Sequence, residues 1–209
     1  MKHRLALLQK RQRAFAKIFR QMQPLGAGGV RLHIHFMQFR APHGYHRTHR
    51  QGRIFQHLAR QRFGNIPSRY NGTLRWPMVG SITQEYGCTG FSWEPAYGSC
   101  RHFHNGIDIA NDLYTPVRAA GDGRVVFAGA NPYDSYPKAW IVIVAHSSSL
   151  LTWYAHLDNG PHPIPVKAGQ WVLRGQVIGY EGMTGHTTGP HLHWAVVYNG
   201  HFTNPRLFL

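Results

Sequence analysis

Between residues 115 and 198, glycine and proline clusters cut the chain into short runs of valine, isoleucine, alanine, tyrosine and tryptophan, and this spacing constrains the fold more than any other feature. Residues 115–120, 123–128, 139–145, 150–155, 166–173, 176–180 and 191–198 each read as a strand. β-Branched and aromatic side chains suit a pleated surface, and the intervening glycines and prolines supply the turns. No long helical period interrupts them. Residues 139–145 predict a buried strand, and 150–155 its hairpin partner. Strands so closely spaced predict an antiparallel all-β domain.

Charge divides the chain at a similar place. Residues 1–84 hold 16 Lys or Arg and no acid, whereas residues 85–209 hold 7 Lys or Arg and all 8 acids, so the formal charge of +15 belongs to the front. The 209 residues suit one ordinary domain with an extension. We divide them into a basic extension, residues 1–72, and a globular domain, residues 73–209. A hydrophobic fraction of 43% excludes a wholly disordered chain. No apolar run approaches the roughly 18 residues of a membrane-spanning helix.

Within the extension, Leu5, Leu8, Phe15, Ile18, Phe19 and Met22 recur at roughly helical spacing before Pro24 and Gly26. They predict a short basic helix over residues 4–23. The apolar piece at residues 5–8 is too brief for an export signal. Residues 30–72 show no sustained period, and poor order is expected there. The front has three readings: a solvated extension, an arm touching a polyanion such as teichoic acid, lipid head groups or nucleic acid, or sequence ahead of the natural start.

Cys88 and Cys100 enclose an aromatic segment with Phe91, Trp93 and Tyr97. A disulfide closing this loop is the leading reading and favours an oxidising compartment. Zinc ligation by Cys100 with His104 is the rival, without the paired cysteines of structural zinc sites. Of 16 histidines, those in the front need no function, and His102, His146, His162, His186 and His201 read as surface or loop residues.

Four histidines remain. His104 and Asp108 stand four apart around Gly106, where a turn into a strand is expected to make them converge and the glycine leaves room for another chain. His191 and His193 stand two apart on a predicted strand and therefore share a face. Imidazoles with one carboxylate suit zinc, and a site of three protein ligands leaves a place for water, which is a catalytic pattern. A zinc-activated water needs a proton acceptor, and no HExxH glutamate is present. His191, and His156 at the end of an aromatic strand, can fill that role.

The order of these motifs resembles the lysostaphin-type, or LytM, zinc endopeptidases of bacterial cell walls: HxxxD at His104–Asp108, then Trp153-Tyr154-Ala155-His156-Leu157, then a glycine-rich loop from Gly182 running into His191-Leu192-His193-Trp194. The resemblance covers about residues 75–209. It implies a compact antiparallel β domain in which His104, Asp108 and His193 bind one zinc ion while His156 and His191 assist catalysis. It further implies hydrolysis of peptide bonds in peptidoglycan stems or cross-bridges, by a monomer acting outside the cytoplasm. Two departures are Ala195 where many relatives carry Glu, and the insert bounded by Cys88 and Cys100, which is expected to reshape the substrate groove. Trp93 and Tyr97 on that insert are candidate substrate contacts, whereas Tyr86, Phe91, Trp140 and Trp153 read as core. The competing classes are a catalytically silent activator of other wall hydrolases and a polyanion binder driven by residues 1–72.

Overall fold

The structure, a computed structural model, describes residues 45–62 and 66–209; the helix expected over 4–23 lies outside them. After a helix α1 (Tyr45–Arg62) come twelve short strands. The main sheet runs in the order β1 (Ser81–Gln84), β4 (Ile107–Ala110), β11 (Leu192–Tyr198), β8 (Leu150–Ala155), β7 (Trp140–Ala145), β6 (Gly123–Ala130) and β9 (Trp171–Val172), with β12 (His201–Thr203) also paired to β11. Two ribbons, β2 (Gly87–Cys88) with β3 (Phe103–His104) and β5 (Pro116–Arg118) with β10 (Val177–Tyr180), complete the domain. The paired strands are antiparallel, as the spacing of the apolar runs predicts.

Alternation along the strands separates two apolar layers. Ile107, Ile109, Val142, Val144, Tyr154, Leu192, Trp194 and Val196 fill one. Ile141, Ile143, Leu151, Trp153, Ala155, Ala195, Val197 and Phe202 fill the other. Both faces are therefore buried, which explains why residues 139–145 are apolar without interruption and why 150–155 are apolar except for Thr152.

Helix α1 covers part of the second face, so residues 45–62 depart from the poor order expected over 30–72. Phe55 is fully buried, its ring 5.1 Å from Trp153 and 5.5 Å from Phe127. Leu58 and Ala59 are buried beside it. Gly52 permits the close approach: a Cβ there would stand 3.1 Å from the Gly200 carbonyl oxygen and 3.2 Å from the Val197 side chain. Gln56 Nε2 and Arg60 Nε donate to the Ser148 carbonyl at 2.8 and 2.7 Å. The apolar stripe is narrow and set among Arg, Gln and His, so its period is weak in sequence even though its burial is complete.

His146 also departs from expectation. Rather than lying on the surface it is buried at the end of β7, with Nδ1 donating to the Asp122 carbonyl at 2.8 Å and Nε2 2.7 Å from the Thr152 hydroxyl. Thr152 in turn lies 2.8 Å from the Tyr154 hydroxyl, which accepts from the Ala120 amide.

Candidate metal centre

Strand register brings the site together. Leu192 and Trp194 enter the first layer, so His193 between them faces the other side; Asp108, between Ile107 and Ile109, does the same. In the β4/β11 ladder Asp108 and His193 are direct partners, and His193 pairs with Ala155 of β8 on its other flank. His104 reaches the same point across the turn between β3 and β4. Gly106 is required there: a Cβ would lie 2.8 Å from the His193 ring and 2.7 Å from the Trp194 carbonyl oxygen.

Three donor atoms converge. His104 Nε2 lies 3.1 Å from Asp108 Oδ1 and 2.9 Å from His193 Nδ1, and His193 Nδ1 lies 2.9 Å from Asp108 Oδ1. His104 Nδ1 donates to the Glu85 carbonyl at 3.0 Å, which turns Nε2 toward the shared focus. Among the described residues, these three form a group of His, Cys, Asp and Glu side chains spaced to hold a metal ion. Burial by itself would raise the Asp108 carboxyl, but hydrogen bonds from His104 and His193 hold it well below the usual range. Burial likewise opposes charge on His104, and the Asp108 carboxylate outweighs it and draws the imidazole upward. The focus thus carries one buried negative charge facing two imidazoles, a donor set fitted to a dication.

The other two imidazoles flank the focus. His191 precedes β11, its Nε2 3.8 Å from Asp108 Oδ2 and its Nδ1 donating to the Gly189 carbonyl at 3.0 Å. His156 follows β8 and donates from Nδ1 to the Thr184 carbonyl at 2.7 Å. Its ring centroid lies 4.7 Å from that of His191 and 6.1 Å from that of His193. Burial, aided by the neighbouring imidazoles, depresses its pKa to about 4, so it is neutral at pH 7 with Nε2 as an acceptor. Its φ of 63° places it in the left-handed region, where a side chain other than glycine is held only by its surroundings.

The insert behaves as two layers. Cys88 and Cys100 form a disulfide, which removes Cys100 from metal ligation. Tyr97 turns inward, its ring 4.6 Å from Phe103, while Trp93 and Phe91 are exposed and stacked. Phe91 is thus not a core residue. Glu94 was not visible as a site residue in the sequence; burial raises its carboxyl, with His193 and His104 drawing it back and Asp108 adding to the rise, which puts it within electrostatic reach of the donor focus. The carbonyls of Glu85, Thr184 and Gly189 were equally hidden, because any residue type supplies one.

The sequence pattern of peptidase family M23 matches residues 102–205. Over 101 residues the chain is 43% identical to the peptidoglycan DD-endopeptidase ShyA of Vibrio cholerae, covering 48% of this chain and 22% of that protein. It is 36% identical to lysostaphin of Staphylococcus staphylolyticus over 101 residues, 48% of this chain and 20% of the relative. The chain therefore spans about a fifth of the length of these relatives. Among solved structures, a zinc-containing peptidase from Vibrio cholerae superposes with a TM-score of 0.54 at 31% identity, over 65% of this chain and 40% of the other. The catalytic domain of lysostaphin from Staphylococcus simulans gives 0.51 at 28% identity, over 62% of this chain and 91% of the domain. Residues 102–205 are therefore a peptidase family M23 domain.

Proposed function

We propose that this protein is a zinc-dependent metalloendopeptidase that hydrolyses peptide bonds in the stems or cross-bridges of peptidoglycan. The observation that carries the proposal is the convergence of His104 Nε2, Asp108 Oδ1 and His193 Nδ1 at mutual distances of 2.9 to 3.1 Å. Tetrahedral zinc, with bonds of about 2.0–2.2 Å to nitrogen and oxygen, sets its donors about 3.3 Å apart, so the triangle needs only a slight expansion. Three protein donors leave the fourth tetrahedral position for water or substrate. Bound there, zinc supplies Lewis acidity, bringing a water pKa down to about 7 and polarising a carbonyl.

The chain's own residues do the rest. The Glu85 carbonyl fixes the tautomer of His104, and Gly106 makes room for the His193 ring. His156 and His191, each with Nδ1 held by a backbone carbonyl, present Nε2 as the group that accepts a proton and, once protonated, donates to the developing oxyanion or the leaving amine. The relatives' names, DD-endopeptidase for ShyA and glycyl-glycine endopeptidase for ALE-1 of Staphylococcus capitis, support a peptide bond of the wall as substrate. That substrate and the disulfide support action outside the cytoplasm.

Digestion of dye-labelled cell walls, with and without chelator, tests the proposal. His104→Ala or Asp108→Ala should abolish lysis and bound zinc together, whereas His156→Ala should keep its zinc and lose about 100-fold or more in turnover. Lysis by a metal-free variant would overturn the assignment.

A further inference from the structure

The connection between β2 and β3 springs directly from the metal site, since Gly87 pairs with His104 and Cys88 with Phe103. It is held closed by the disulfide and by backbone bonds from Thr89 to His102 and from Phe103 to Pro95, with the His102 ring donating to the Glu94 carbonyl at 2.9 Å. Its inner surface is filled by Tyr97 against Phe103. Its outer surface carries Phe91 and Trp93, rings stacked at 4.7 Å with an interplanar angle of 28° and 42% and 64% exposed. The pair thus stands on a loop whose return strand carries His104 of the donor focus.

Two large exposed rings on a loop that is already ordered have no structural task, and exposed apolar patches of this kind mark contact surfaces. Ordering the loop on folding removes that entropic cost from binding. Residues 88–100 carry no Lys or Arg, and Arg101 follows Cys100 at the closed base of the loop, so the segment around Phe91 and Trp93 presents no cation of its own to the carboxylates of a wall peptide. A pyranose ring instead offers a flat apolar face of C–H groups for the aromatic surface, and its hydroxyls can accept from the indole N–H.

Resting on the peptidase reading above, we propose that Phe91 and Trp93 form a platform for a sugar ring of the peptidoglycan glycan strand, which anchors the polymer while its peptide enters the metal site. The full chain is titrated calorimetrically with chitotetraose, a neutral N-acetylglucosamine tetramer without peptide. Binding with a Kd of about 1 mM is expected, weakened about tenfold or more by Trp93→Ala or Phe91→Ala and largely retained by Trp93→Phe. No binding by the unaltered chain, or affinity unchanged in Trp93→Ala, would overturn the platform. So would a Trp93→Ala variant that binds chitotetraose normally but shows a raised KM for a sugar-free peptide dimer, which would make the loop a peptide contact. Hydrolysis of that dimer by the unaltered chain tests the peptidase reading separately: sugar binding that depends on Trp93 without hydrolysis sinks only the enzyme, and hydrolysis without sugar binding sinks only the platform.

Discussion

Helix α1 and the disulfide loop both lie outside the family segment at residues 102–205, yet they are attached to the domain by opposite means. The helix is held by apolar burial, with Phe55 set between Phe127 and Trp153 and Leu58 and Ala59 beneath it. The loop is held by a covalent bond and by backbone hydrogen bonds, and its two outermost rings stay in solvent. A side chain committed to a core cannot also meet a ligand. The helix is therefore part of the folding unit, while the loop is free to contact substrate. The reach of the family pattern also does not mark where this domain's folding unit begins.

Substitution in the helix should have the largest effect. Phe55→Ala removes a fully buried ring and is expected to cost about 3–5 kcal/mol in urea unfolding. A loss under about 1 kcal/mol would make α1 an appendage and dissolve the contrast. Replacing both Cys88 and Cys100 with Ala should cost less, about 3 kcal/mol for a closed loop of this length, since the bond joins positions 12 apart. A cost above that of Phe55→Ala would show that covalent closure, not apolar packing, secures this side of the domain.

The same contrast explains how much the sequence disclosed. Strand spacing predicts the antiparallel sheet, and alternation along one strand predicts a shared face for His191 and His193, because a period of two needs no tertiary information; that Asp108 stands beside His193 depends on the β4/β11 register, which the sequence does not display. Gly106 could also be read: a glycine between two chemically committed residues marks a close approach, here of the His193 ring. Helix α1 could not. Ile54, Phe55, Leu58 and Ala59 are a narrow stripe in a segment of Arg, Gln and His, and its value lies in the sheet face that receives it. Nor could the direction of Phe91, since an aromatic residue reads as core until the fold shows no cavity for it. His146 hid for a related reason: a polar residue is accepted inside only when partners wait for both ring nitrogens, and those partners, the Asp122 carbonyl and Thr152 hydroxyl, are distant in sequence.

His146 supplies the smallest effect, and it bears on where the helix is moored. The turn that follows it carries Ser148, whose carbonyl accepts from both Gln56 and Arg60 of α1, and the Tyr70 ring lies 5.3 Å from the imidazole. Burial depresses the His146 pKa to about 4, against an opposing hydrogen bond to the Asp122 carbonyl and the pull of the Asp122 charge. Above the unfolded value near 6.5 both states are neutral and stability is complete. As pH falls below it the unfolded chain takes up a proton that the folded chain refuses, so stability declines until about pH 4. Between pH 7 and pH 5 the decline from this residue alone is about 2 kcal/mol. His156, depressed in the same direction, adds its own share. Comparing His146→Gln with the unaltered protein in urea melts at both pH values isolates the first contribution: the variant is less stable throughout, but its stability should fall by about 2 kcal/mol less over the interval. Equal declines would mean that His146 charges as readily in the folded protein as in the unfolded chain. The turn that anchors α1 would then be open to water, and the helix would be held by its apolar stripe alone.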